Sequence, residues 1–424
     1  LQGLAVGGEY GGAVVYVAEH APPGRRGFFT SWIQASATTS LILALVVVLV
    51  TRLSLGEPAF STWGWRIPFL LSAILLGASI WIRMQLEESP VFEKMRAEGR
   101  ASKAPLTESF GNGGNLKIVF SALFGLIAGF GVIWYTAQFY VLLFLTQTLK
   151  IDPVTANLLF VVTLLMGLPC FILFGSLSDR IGRKKLVFTG ISLAAILFFP
   201  VFKGLTHFAN PALERALASS PVVVSADPET CHFQFNLTGT SKFTTPCDIA
   251  KSRLVALSVA YSSEPAAKGA PATVRVGDVA IGLPDPTGKS AAEIDAATKA
   301  FGAQLGAAIQ KAGYPAKADP DAINKPMIVL LSFLLVFCLT MAYGPVAALL
   351  VELFPARIRY SSLSLPYHIG NGWFGDLAPT IAFALVAWNG DIYFGLWFPV
   401  IVAGVTAIIG MLLIKETKDV DISK

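Results

Sequence analysis

The chain has 424 residues, 54% of them hydrophobic and only 14% charged, with a net charge of +5. Soluble domains carry about 25% charged residues, and a helix needs roughly 20 apolar residues to cross a bilayer core. The composition therefore excludes an ordinary soluble enzyme, and the small positive charge fits loops at a membrane surface better than a nucleic-acid footprint.

In chain order, apolar runs predict nine helical spans, near 1–19, 28–52, 64–83, 118–146, 154–177, 186–204, 326–353, 361–388 and 392–414. The first run begins at Leu1 without an initiator Met or signal peptide, so further spans are expected ahead of it. A polar loop (84–117) and a polar insertion (205–325) divide the spans into residues 1–83, 118–204 and 326–414, with a short tail at 415–424. Basic residues crowd the loops at one end, among them Arg25, Arg26, Arg96, Arg180, Arg183, Lys184, Arg357, Arg359 and Lys415. Positive loops stay in the cytoplasm, which places the insertion outside, on the periplasmic face of a cell inner membrane. There a disulfide between Cys231 and Cys247 is allowed.

The insertion reads as a small α/β unit. Residues 272–281 alternate like a strand, and Ile294, Ala297, Phe301, Leu305 and Ile309 recur as on one helix face. The stretch Gly282 to Ser290 approaches a phosphate-loop pattern but has Leu283 where a glycine is required. Asn236-Leu237-Thr238 fits a glycosylation acceptor.

Two segments repeat. Glu19-x-x-Pro22-x-x-x-Arg26 and Glu352-x-x-Pro355-x-x-x-Arg359 are 333 positions apart, and Tyr10-Gly11 and Tyr343-Gly344 share that offset. Such repeats are typical of transporters. A further loop, Gly175-Ser-Leu-Ser-Asp179-Arg180-Ile-Gly182-Arg183-Lys184-Lys185, has no repeat partner in the sequence. With six spans expected in each half, that partner and three spans would precede residue 1.

These residues resemble a known family. The Gly-x-Leu-x-Asp-Arg-x-Gly-Arg-Lys loop resembles the signature of the major facilitator superfamily. Gly7-Gly8-Glu9-Tyr10-Gly11-Gly12-Ala13, Trp63-Gly-Trp65-Arg66-Ile-Pro68-Phe, Leu86-Glu87-Glu88-Ser-Pro90-x-Phe92 and Glu352-Leu-Phe-Pro355-Ala-Arg357-Ile-Arg359-Tyr360 resemble its metabolite:proton symporter family. Asp376 departs from the pattern, where a glycine is expected. The resemblance implies an all-α polytopic fold, with the nine spans as family helices 4 to 12 and the first three helices missing. It implies proton-coupled symport of a small organic metabolite, an organic acid or a zwitterion, with no cofactor, no metal and no obligatory protein partner.

A proton-coupled carrier needs a titratable group at depth. Glu9 lies ten residues before Glu19, about 15 Å by helix rise and half of the core. An acid there should face protein or water; the alternative is a protonated packing residue. His368, with Asn371 one turn on, is a second candidate, with a plain packing role as its alternative. Tyr10, Gln34, Tyr135 and Gln138 join Asn371 as candidate cavity residues, and Tyr140 is a further polar position. The glycines 3, 7, 8, 11 and 12 read mainly as a helix-packing face. By resemblance, Glu19, Arg26, Asp179, Arg180, Arg183, Glu352 and Arg359 form a cytoplasmic gate; retention of topology by positive charge is the plainer reading. A membrane receptor or sensor, with the insertion as its ligand-binding part, is the competing class. An enzyme would need a metal site or a nucleophile with its base, and four His and four Cys form no such constellation in the sequence.

Overall fold

The computed structural model of the chain describes residues 9–85, 89–99, 102, 104–235, 244–283 and 290–422. Glycines 3, 7 and 8, the segment Leu86 to Glu88, the acceptor Asn236 to Thr238 and the middle of Gly282–Ser290 lie outside the described residues.

Three helices come first: α1 (Glu9–His20), α2 (Arg26–Leu55) and α3 (Arg66–Arg83). Short helices at Pro90–Ala97 and Pro105–Gly111 lead to α4 (Gly113–Thr148), whose course includes π-helical turns at Leu123–Ile127, Thr136–Tyr140 and Phe144–Thr148. α5 (Pro153–Ile181) starts where Asp152 accepts from the Thr155 N–H at 3.0 Å ahead of a first-turn proline. Asp as cap followed by Pro is a strong start signal. Gly182 (φ +106) lets α5 stop and α6 (Arg183–Ala209) begin at once; a side chain there would run into Glu416.

Between α6 and the next long helix the chain builds a four-stranded sheet, β1 (Val222–Ala226), β2 (Ser262–Pro265), β3 (Thr273–Val276) and β4 (Val279–Gly282), in the order β2-β1-β3-β4. β1 and β2 are parallel and joined through α7 (Pro246–Ala256), while β3 pairs antiparallel with β1 and β4. The alternation at 272–281 thus belongs to a hairpin and not to one strand: Gly277 (φ +57) turns the chain between Val276 and Val279. Glycine reaches positive φ at little cost, and tight hairpin turns use it. α8 (Ala291–Lys311) opens on a reciprocal Ser290–Glu293 capping box, and buries Phe301, Leu305 and Ile309. Cys231 and Cys247 form a disulfide with Cα atoms 5.2 Å apart.

Then follow α9 (Lys325–Leu353), α10 (Arg359–Ile369), α11 (Ala378–Asn389) and α12 (Trp397–Leu413). Among the described residues six helices are long and apolar enough to cross a membrane, or seven if Glu57–Gly64 and Arg66–Ile82, bent by 55°, count as one span. The sequence reading of nine differs at two runs. The run at 1–19 is described only from Glu9, as 12 residues. The run at 361–388 is interrupted by a π-helical stretch, Gly370–Asp376, and a turn at Leu377. Three glycines within that stretch, at 370, 372 and 375, weaken a regular helix.

α5 packs along α2 and α9, and α6 packs along α9. α2 and α5 touch at glycines: a Cβ on Gly175 would come within 2.6 Å of the Gly27 carbonyl and onto Ser31. Small residues at such crossings let backbones approach.

The sheet unit rests on the helix ends near Thr148, Ala209, Lys325 and Asn389, opposite the basic loops. Tyr261 Oη donates to the Ala387 carbonyl and Tyr261 N–H to that of Gly390 at 3.1 Å. Ser258 Oγ donates to the Gln147 carbonyl at 3.0 Å, and Lys150 Nζ to that of Ala256 at 2.6 Å. Lys150 (φ 58) and Ser258 (φ 62) are the non-glycine residues with positive φ among those described. Both therefore hold an unfavourable backbone at this seam, which its hydrogen bonds must sustain. Alkylating the unfolded, unreduced chain is expected to modify two of its four cysteines, Cys170 and Cys338. Mass analysis finding four modified thiols would refute the bridge.

Candidate functional site

Helix ends carry unpaired backbone groups, so charge collects where the helices meet at the basic end. Asp179, in the last turn of α5, accepts from the first turn of α2: Gly27 N–H to Oδ1 at 2.8 Å and Phe28 N–H to Oδ2 at 2.9 Å. Arg183 lies between two acids. Its Nη1 is 2.8 Å from Asp179 Oδ1, while Nε and Nη2 donate to Glu352 at 3.3 and 3.2 Å. Arg359 Nη1 donates to Glu19 Oε1 at 2.6 Å, and Arg26 Nη1 is 3.5 Å from Glu352 Oε1. The Arg183, Glu352, Arg359 and Glu19 side chains are all no more than 4% exposed. Charges buried this deeply persist only when paired and fully hydrogen-bonded.

The pairing is reciprocal. The acid of the first repeated segment, Glu19, meets the arginine of the second, Arg359. The arginine of the first, Arg26, meets the acid of the second, Glu352. Helices before the 84–117 loop are thereby tied to helices after it. Arg180 does not share this role with Arg183: it enters through its carbonyl, which accepts from Lys418 Nζ at 3.2 Å.

Sequence reasoning missed the tail. Glu416 accepts from the Arg183 N–H at 2.8 Å and the Lys184 N–H at 3.1 Å, capping α6. Thr417 Oγ1 donates to Glu352 at 2.7 Å. The Val420 carbonyl accepts from Arg26 at 2.7 Å and the Ile422 carbonyl from Arg359 at 2.8 Å. Ser89, in the 84–117 loop, donates to Glu19. An acid just past the last apolar run was the only available signal, and carbonyl acceptors leave no mark in a sequence.

Deeper in the bundle, polar groups gather around Tyr367. Tyr10 stacks on it with centroids 3.6 Å apart, and Tyr343 Oη lies 3.2 Å from its hydroxyl. The two tyrosines of the repeated Tyr-Gly pairs thus flank one ring. Gln34 Nε2 donates to Tyr10 Oη at 2.8 Å, and Asn371 Nδ2 to the Tyr367 carbonyl at 2.9 Å. Gln138 Nε2 donates to Thr38 Oγ1 at 3.3 Å. Among the described residues Gln34 Oε1 and Gln138 Oε1 are fully buried acceptors without a hydrogen-bond partner; each such group costs about 1–3 kcal/mol if nothing donates to it. His368 stands edge-on to Tyr367 at 5.4 Å. Tyr135 packs against Gly375 and stacks with Phe139, away from this group. Tyr140 is a buried aromatic between Phe202 and Phe383. Glu9, the first described residue of α1, is exposed, where the sequence reading has it facing protein or a water-filled cavity.

A family profile described as Major Facilitator Superfamily matches residues 1–210. The chain is 32% identical over 210 residues to an alpha-ketoglutarate permease of Escherichia coli (strain K12), covering 50% of this chain and 47% of that one. It is 32% identical over 215 residues to a shikimate transporter of the same organism, covering 48% and 47%. It is 30% identical over 214 residues to a putative proline/betaine transporter of Staphylococcus haemolyticus (strain JCSC1435), covering 50% and 44%. The chain thus spans about half the length of the curated relatives it matches. In three dimensions it resembles a proton:xylose symporter bound to 6-bromo-6-deoxy-D-glucose, with a TM-score of 0.55 and 18% identity, over 97% of this chain and 69% of that one. That likeness concerns the fold.

Proposed function

Because the chain belongs to the major facilitator superfamily, we propose that it works in a proton-coupled carrier that moves a small organic acid or zwitterion by alternating access. The observation that carries this reading is the reciprocal pairing of Glu19 with Arg359 and of Arg26 with Glu352. Opening a path to the basic end requires those pairs to part, and closing it lets them form, which is what a two-bundle rocking carrier needs. A receptor would have no use for a crossed lock between repeated segments. On the positive-inside rule this end is cytoplasmic, so in this reading the cytoplasmic side is closed and the sheet unit lies outside.

The substrate group is assigned to the surroundings of Tyr10, Gln34, Gln138, Tyr367 and Asn371. The unpaired acceptors Gln34 Oε1 and Gln138 Oε1 suit the N–H or O–H groups of an amino acid, a betaine-like zwitterion carrying a donor, or a hydroxy acid. Glu9 is the proton-coupling carboxylate in this reading, with His368 second. An ionised acid near the bilayer centre costs roughly 2.5–3.5 kcal/mol on insertion scales.

In vesicles holding the carrier, a panel of 2-oxoglutarate, shikimate and proline should show one solute accumulating when the external face is more acidic. A protonophore should abolish that accumulation. Glu9→Gln should retain exchange of labelled substrate yet fail to accumulate it. Accumulation by Glu9→Gln at the unsubstituted rate would move the role to His368, and uptake indifferent to the pH gradient would end the symport reading.

A further inference from the structure

Where the sheet unit meets the bundle, α7 lies against the outer end of α11, and a cavity of about 720 Å³ opens beside it. Lys251, Tyr261, Ser262, Ser263, Trp388 and Asp391 are among its walls. That volume lies within the roughly 300–1,000 Å³ of small-molecule sites. Most of the wall is neutral. The exceptions are Lys251, which is 5% exposed, and Asp391, which is exposed at the rim.

Lys251 is short of acceptors. An ammonium has three donors, and charge-assisted bonds run near 2.7–2.9 Å. Its one hydrogen bond among the described residues is a long one, 3.4 Å to the Trp388 carbonyl, with the Tyr261 ring centroid 5.9 Å away. Asp248, one turn earlier on α7, attracts it electrostatically. Both Asp248 oxygens are already taken, Oδ1 by the His232 N–H and Oδ2 by His232 Nδ1, each at 2.8 Å. Asp391 accepts from the Tyr393 N–H at 2.9 Å, and no described carboxylate lies within ion-pair distance of Lys251. Burial pushes the Lys251 pKa below its ordinary value, the direction expected of a cation without a full set of partners. A buried cation of this kind remains only where something compensates it.

We propose that this cavity binds the oxyanion group of a small ligand, a carboxylate or a phosphate monoester, with Lys251 as its charge partner and the Ser262 and Ser263 hydroxyls as further donors. Asp391 at the rim selects against a second negative group near the mouth. The source is either a soluble metabolite or the phosphate of an anionic lipid headgroup at the outer membrane surface. The site is separate from the tyrosine group in the bundle, and the proposal stands whether or not that group binds the transported solute.

Lysine reactivity in the intact chain tests it. A depressed pKa leaves more free amine, so Lys251 should be methylated by formaldehyde and borohydride in detergent. Inorganic phosphate should slow that labelling about tenfold at saturation, a differential of about 1.4 kcal/mol. Exposed Lys268 and Lys299 should show no such protection, and neither should Lys251 under chloride of equal ionic strength. Protection in phosphatidylglycerol nanodiscs without phosphate, absent in phosphatidylcholine discs, would assign the site to lipid; protection by phosphate alone would assign it to a soluble ligand. The phosphate-induced rise in melting temperature should vanish in Lys251→Met and persist in Lys299→Met. Labelling of Lys251 that follows Lys268 under every condition overturns the proposal, and because it is read on the unsubstituted chain it does not depend on the variant folding.

Discussion

Replacing Arg183 with methionine is expected to destabilise the chain by about 3–5 kcal/mol, the cost of leaving a buried carboxylate without its partner. Glu352 is fully buried and takes two hydrogen bonds from Arg183, with Arg26 0.3 Å farther away than the nearer of them. Asp179 loses its ion pair at the same time. The midpoint of thermal unfolding in detergent should fall by several degrees or more. The discriminating measurement is the double replacement. Arg183→Met with Glu352→Gln removes both charges and should recover the part of the loss that comes from stranding Glu352, while Asp179 stays without its ion pair and Arg26 loses its acid. Equal losses in the single and double variants would show that Arg183 acts by packing alone. If the proposed alternating-access reading holds, transport should answer differently: the double variant should fold yet carry substrate slowly, because a charge pair proposed to hold the basic end closed is gone.

Gly175→Val is the second large effect. No side chain fits between α5 and α2 there: a Cβ would press on the Gly27 carbonyl at 2.6 Å and on Ser31. Overpacking costs typically 1–3 kcal/mol. Separating the helices also draws Asp179 off the Gly27 and Phe28 N–H groups, bonds to a charged acceptor each worth about 1.5–3 kcal/mol. Uptake should be lost, and the chain should unfold at a lower temperature than Asp179→Asn, which keeps the shape and forfeits only the charge. Gly404→Ala is the matched control, since nothing lies within 4 Å of a Cβ there and alanine favours helix by about 1 kcal/mol over glycine. A Gly175→Val chain as stable as Gly404→Ala would mean that the α2–α5 crossing opens at little cost.

The charged cluster at the basic end was legible because four of its residues sit at fixed offsets from helix-ending prolines and repeat once, while a gating role for it came only from the family resemblance. Glu19, Arg26, Glu352 and Arg359 could be found from spacing alone. The crossed pattern of their pairing could not, since a sequence repeat does not say which copy meets which. Glu416 and the Val420 and Ile422 carbonyls escaped because their partners lie 63 to 394 residues away and backbone acceptors have no residue type. Hydropathy located the long regular spans but gave no sign that the run holding glycines 370, 372 and 375 is interrupted by a π-helical stretch. In the sheet unit, the period-two alternation was read correctly as extended chain, but one glycine turned a single strand into a hairpin. Tyr367 was missed because a tyrosine in an apolar run looks like packing until Tyr10 and Tyr343 are seen on either side of it.

The seam beneath the sheet unit has a consequence for how such a protein can evolve. Among the described residues its acceptors are main-chain carbonyls, including those of Gln147, Ala256, Ala387, Trp388 and Gly390. Any residue supplies a carbonyl, so these hydrogen bonds put no demand on side-chain identity at Gln147, Ala256 or Ala387. The donors Lys150, Ser258 and Tyr261 have no such freedom, and neither does Gly390, whose φ of +97 and contact with the Tyr261 carbonyl exclude a side chain. Among descendants of this chain, substitutions should accumulate on the acceptor side while those four positions stay fixed. A graft of the unit onto another protein of the fold would then need only Lys150 and Gly390 supplied on the recipient's helix ends, with Ser258 and Tyr261 brought by the unit itself.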